Sequence, residues 1–156
     1  MMLVAGIGNI FFGDDGFGCE VARRLAAREL PVSVRVVDFG IRSIDLAYAL
    51  LDHDAAILVD VVARGNPPGT LYVLEPEVGE GGELDPHGAT PDRVLGWLGG
   101  ARLPRVLRLV GCEPQTFEAD ALGADGLSPP VRAAIPEAVA LVEGLIGGLI
   151  GEIRRA

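Results

Sequence analysis

The stretch from Leu3 to Gly18, Leu-Val-Ala-Gly-Ile-Gly-Asn-Ile-Phe-Phe-Gly-Asp-Asp-Gly-Phe-Gly, constrains the fold of this chain more than any other. It opens as an apolar strand, Leu3 to Ile7, turns at Gly6 and Gly8, and reaches two adjacent carboxylates, Asp14 and Asp15, at the mouth of a helix. Glycine at such a turn allows unusual backbone angles or a close approach of chains. A strand, a glycine turn and a helix N-terminus together normally invite a phosphate. Here the helix mouth carries its own negative charge, so a cation is the better match.

The rest of the chain alternates strands and helices. Gly13 to Leu30 reads as a helix, with Val21, Leu25 and Leu30 on an apolar face and Arg23, Arg24 and Arg28 on a wet one. Val32 to Asp38 follows as a strand, and Ser43 is placed to cap a helix ending near Leu51. Ala55 to Val62 is a nearly continuous apolar run, as in a central strand covered on both faces, broken only by Asp60. Asn66-Pro67-Pro68-Gly69 turns tightly into a strand at Thr70 to Leu74. No helix fits between these two strands, so the second should run antiparallel to the first. A Gly- and Glu-rich loop from Glu75 to Pro86 delivers His87. Thr90-Pro91 opens a helix to Leu98, Arg105 to Val110 is the fifth strand, and Glu113 to Leu127 reads as irregular. Ser128-Pro129 opens the last helix, which Pro136 should kink near Arg132. Gly144, Gly147, Gly148 and Gly151 in that helix suggest close packing on the sheet.

The order β-α-β-α-β-β-α-β-α calls for a three-layer α/β sandwich. At 156 residues and 49% hydrophobic, the chain suits one domain, residues 1–156, with a well-filled core. Its net charge of −9 argues against nucleic acid or an anionic membrane as partner. All 13 basic residues are Arg, which excludes a P-loop lysine and a Schiff-base lysine. Cys19 and Cys112 form no C-x-x-C pair, and Met1 leads directly into the first strand with no leader pattern. The run Ala138–Gly151 is too short to span a bilayer and contains Glu143. A cytoplasmic protein is expected, and a monomer over an oligomer.

In open α/β sheets ligands bind outside the carboxyl ends of the strands, where connections diverge. Asp15 follows strand one and Asp60 ends strand three, so the two can meet there. The structural explanation for Asp14 and Asp15 is helix capping; for a pair, one residue is left to face the cleft. A carboxylate amid Ile57, Leu58, Val59, Val61 and Val62 is costly to bury without a partner, so Asp60 points to a polar site. Two carboxylates and the imidazole of His87 make a mixed oxygen and nitrogen set, suited to a divalent ion such as nickel or zinc. His53, between Asp52 and Asp54 at a helix end, is explained by the helix dipole. The dinucleotide fingerprint fails, because Phe11 stands at its third glycine and the two acids would repel a pyrophosphate. No nucleotide cofactor is expected. None of Ser33, Ser43 and Ser128 lies in G-x-S-x-G, and no HExxH occurs. Cys112, in Val-Gly-Cys-Glu-Pro, reads as a small buried residue.

Gly6-x-Gly8-Asn9-x-x-x-x-Asp14-Asp15-Gly16-x-Gly18, Asp60 after an apolar strand, and Asp85-Pro86-His87-Gly88 together resemble the [NiFe]-hydrogenase maturation endopeptidases. The resemblance runs nearly end to end and takes in the Asn-Pro-Pro-Gly turn, the Gly-Cys-Glu-Pro stretch and Gly126-Leu127-Ser128-Pro129. It implies a mixed five-stranded sheet of order 2-1-3-5-4 with strand four antiparallel. It also implies removal of a C-terminal extension from a hydrogenase large-subunit precursor after nickel insertion. Asp15, Asp60 and His87 then match the side chains that engage nickel supplied by the substrate precursor, and are the candidate catalytic residues. Asp38 matches a further family acid near the cleft. A hydrolase carrying its own metal, or a non-enzymatic nickel- or nucleotide-binding module, would use the same residues differently.

Overall fold

The computed structural model describes residues 1–76, 96, 103–118 and 126–155. The strands are β1 (Met2–Ile7), β2 (Val34–Gly40), β3 (Ala55–Val61), β4 (Leu71–Leu74) and β5 (Val106–Cys112). They form a five-stranded sheet of order β2-β1-β3-β5-β4. Only the β4–β5 pair is antiparallel, so β4 is reversed as the short turn before it requires, and the strand order is the one the family resemblance implies. A 3₁₀ turn, Gly13–Gly16, leads into helix α1 (Phe17–Ala26); α2 spans Ser43–Leu51 and α3 Pro129–Arg155. His87, and all of the expected Thr90–Leu98 helix except Gly96, lie outside the described residues.

Period-two alternation sorts the side chains into two cores. Met2 and Val4 of β1, with Ala55, Ile57 and Val59 of β3, face α1 and α3. Leu3, Ala5 and Ile7, with Ala56 and Leu58, face Leu46 and Leu50 of α2. These two cores make the sheet the middle of three layers.

Local departures from expectation have local causes. Helix α1 stops at Ala26, where the N–H groups of Ala27 and Arg28 turn back to Arg24 and Leu25. Ser43 begins α2 but does not cap it; its hydroxyl donates to the carbonyl of Ile41 instead. Helix α3 is continuous through Pro136.

The glycines of α3 do not pack on the sheet. Val142, Ile146 and Leu149 take the inner face, leaving Gly144, Gly147 and Gly148 exposed, with no described atom within 4 Å of where a Cβ would stand. At 27 residues and mean hydropathy 1.7 for its most apolar window, α3 is long and apolar enough to cross a bilayer. Here its inner face is buried in the core shared with α1 and the sheet.

Candidate active site

The opening motif is built around close backbone approach. Gly18, in the first turn of α1, lies so near the carbonyls of Ile7 and Val59 that any Cβ would collide with both. Gly8 has φ of 138° and sits against the backbone of Asp15, which a side chain there would also meet. These contacts set the helix mouth directly over the carboxyl ends of β1 and β3. Asn9 then donates its N–H to Asp15 Oδ2 at 2.8 Å, orienting that carboxylate.

The adjacent acids have different roles. Asp14 is fully buried. Its Oδ2 accepts from the N–H groups of Gln115 and Thr116 and from Ser128 Oγ, and its Oδ1 from the N–H of Ser128. Asp14 therefore does not cap its own helix; it joins the segment after β5 to the start of α3. Asp15 instead accepts from Asn9 and is only part-buried. Burial raises its pKa above the usual 3.8, and the hydrogen bond from Asn9 only partly offsets this.

Asp38 and Asp60 flank the same strand end. In the sheet register Gly6 of β1 pairs with Asp38 on one side and with Val59, the neighbour of Asp60, on the other. Asp38 Oδ1 accepts from the N–H of Gly40 at 3.0 Å, and Asp60 Oδ1 from that of Val61 at 2.8 Å. Asp60 is 9% exposed, more enclosed than a strand end opening on a polar site would leave it.

Cys19 lies in the first turn of α1. It lies four residues, about one helical turn, beyond Asp15, and its Sγ donates to the carbonyl of Gly8 at 3.4 Å. Burial raises its pKa most, followed by a hydrogen bond with Asp38 and the charges of Asp38, Asp60 and Asp15. All three carboxylates thus act on one thiol, which stays protonated. Sequence reasoning missed this role, although the i,i+4 spacing from Asp15 carried it. Beside them, Gly8, Cys19, Asp38 and Arg42 line part of a cleft of about 310 Å³.

A further buried acid, Glu113, supports the other side. Its carboxylate accepts from Tyr72 Oη and from the N–H groups of Arg64 and Asn66, tying the turn after β3 to the end of β5. The Tyr72 hydrogen bond is the chief reason its pKa is lowered.

Among the described residues, no group of three His, Cys, Asp or Glu side chains stands close enough to hold a metal ion. The expected third ligand, His87, lies outside them. His53 is at the other end of the sheet, just before β3, with Nδ1 2.6 Å from the carbonyl oxygen of Ala49 at the end of α2. The described residues also offer no ready nucleophile. Ser128 is buried with its hydroxyl donated to Asp14, and Cys112 is buried with its pKa pushed up to about 12.

Residues 19–145 match the family model for hydrogenase maturation proteases. A putative hydrogenase maturation protease of Methanocaldococcus jannaschii is 31% identical over 151 residues, 93% of this chain and 96% of the relative. The crystal structure of the hydrogenase 2 maturation peptidase of a Thaumarchaeota archaeon superposes with a TM-score of 0.71 at 32% identity, covering 94% of this chain and 97% of that one. The maturating endopeptidase HybD of E. coli gives a TM-score of 0.75 at 28% identity, covering 94% and 92% of the two chains.

Proposed function

The chain belongs to the hydrogenase maturation protease family, and from that premise we propose that it removes the C-terminal extension of a [NiFe]-hydrogenase large-subunit precursor after nickel insertion. What supports this reading is the family match over residues 19–145 together with the placement of Asp38 and Asp60 at the carboxyl ends of β2 and β3, on either side of β1, with Asp15 in the turn that follows β1. Carboxylate oxygens suit a divalent cation, and the imidazole of His87 adds a borderline ligand that favours nickel over calcium or magnesium. The nickel is part of the substrate. Asp15 supports the role electrostatically, because its ionised form is poorly solvated where it stands and gains from an arriving cation.

Both cysteines are buried and the Ser128 hydroxyl is donated to Asp14, so water is the nucleophile in this reading. Asp15, Asp60 and His87 hold the substrate's nickel and thereby fix the adjoining peptide; a bound ion of this kind can orient a peptide and polarise its carbonyl. Asp38, exposed beside the cleft, is a further group within the same field. The activity is tested by incubating nickel-loaded precursor with the protein and with its Asp15→Asn, Asp60→Asn and His87→Ala variants, following precursor mass. Each variant should process the precursor at least about 10-fold more slowly, since even the groups behind a metal ligand are worth about 10–100-fold. Full activity in the Asp60 and His87 variants would overturn the assignment.

A further inference from the structure

Ile10, Phe11 and Phe12 form an unbroken run of large apolar side chains in solvent, 58%, 76% and 57% exposed. Such a run has no stabilising role in an isolated fold and marks an interaction surface where it is kept. The loop that carries it is held in shape. Asn9 Oδ1 accepts from the N–H of Phe11 at 2.9 Å, and the Asn9 carbonyl from that of Phe12 at 3.1 Å. The N–H of Asp15 closes on the Phe12 carbonyl at 3.1 Å, so the turn that positions Asp15 also presents these three side chains.

Two other elements extend the surface. Ile41, 49% exposed, lines the Asp38 cleft together with Ile10 and Phe11. Phe117, 51% exposed, follows Thr116, whose carbonyl accepts from the N–H of Asp14, and its backbone passes beside Gly13. The apolar collar therefore borders the acid site from three segments of the chain.

We propose that this collar docks the folded body of the precursor, with Phe11 as its anchor; this rests on the protein-processing role above. A cleft of about 310 Å³ accommodates a few side chains and not a folded protein, so a precursor whose extension enters it lies against the rim. The collar side chains Ile10, Phe11, Phe12, Ile41 and Phe117 are all apolar, although the charged Asp38 and Arg42 line the cleft beside them. Burial of aromatic surface, and not the acid site, then supplies much of the affinity for the protein part of the substrate.

The test is the Kd of nickel-loaded precursor for the full chain, for Phe11→Ser, for the double variant Phe11→Ser/Phe117→Ser, and for Phe11→Leu. Val32→Ser is the control, since Val32 is fully exposed near the amino end of β2, away from the site. Phe11→Ser should raise Kd at least about 10-fold and the double variant further, Phe11→Leu should retain most of the affinity, and Val32→Ser should change nothing. An unchanged Kd in Phe11→Ser, or an equal rise in Val32→Ser, overturns the proposal. So does sedimentation velocity showing that the free protein dimerises through the collar and that Phe11→Ser disperses it. Tight binding without cleavage by the unmodified chain leaves the docking surface standing and removes the peptidase assignment instead.

Discussion

Asp14 accepts both the backbone N–H and the hydroxyl of Ser128, at 2.7 and 2.8 Å, across 114 positions of chain. Ser128 in turn accepts the N–H of Arg132, the first intrahelical bond of α3. One carboxylate thus fixes where the longest helix begins and, being next in sequence to Asp15, where the candidate site stands.

The role of Asp14 changes what its substitution should do. As a helix cap it could be replaced by Asn at little cost. As a buried acceptor for four donors it cannot, because the amide NH₂ would face at least one of the N–H groups of Gln115, Thr116 and Ser128. Asp14→Asn should lose about 2 kcal/mol or more, roughly 4–8 °C in Tm for a chain of this size. Thermal unfolding followed by circular dichroism checks this, and an unshifted Tm would refute the bracing role.

Asp15→Asn should behave in the opposite way. The folded-state pKa of Asp15 is raised above 3.8, so the favourable contribution of its neutral form is complete below that value and is lost as pH rises through the folded pKa. Asn does not titrate and can keep the hydrogen bond from Asn9. The variant should therefore be at least as stable as the parent at neutral pH, with the difference closing below about pH 4, while processing is impaired. Denaturant titrations at pH 7 and pH 3.5 give the comparison. A variant that is relatively less stable at pH 7 than at pH 3.5 would show the sign to be wrong.

Gly147→Ala and Gly148→Ala should each stabilise the fold by about 0.5–1 kcal/mol, since both residues lie exposed inside a helix. Chemical denaturation of the single and double variants measures it. A loss of stability would mean that this face of α3 is covered.

The fold was legible where one local rule acted alone. The Asn66–Gly69 turn leaves no room for a crossover helix, and β4 is indeed antiparallel. Asp60 interrupts an apolar strand, and it lies next to last in β3, toward the strand's carboxyl end. Legibility failed where the deciding contact was remote. Nothing near Asp14 shows that residues 115, 116 and 128 return to it, and capping was the nearest local explanation. Ser43 looked like a cap because its type suits one, but its hydroxyl found the Ile41 carbonyl. The α3 glycines were misread for a different reason. The spacing of Val142, Ile146 and Leu149 already sets the buried face and puts the glycines opposite; their small size was weighed above that phase.

The central claim is that processing depends on nickel already held by the substrate. The most direct measurement is the intact mass of the hydrogenase large-subunit precursor after incubation with this protein, using nickel-loaded and nickel-free precursor side by side. The nickel-loaded form should lose one C-terminal peptide and the nickel-free form should keep its mass. Equal cleavage of both would contradict the claim.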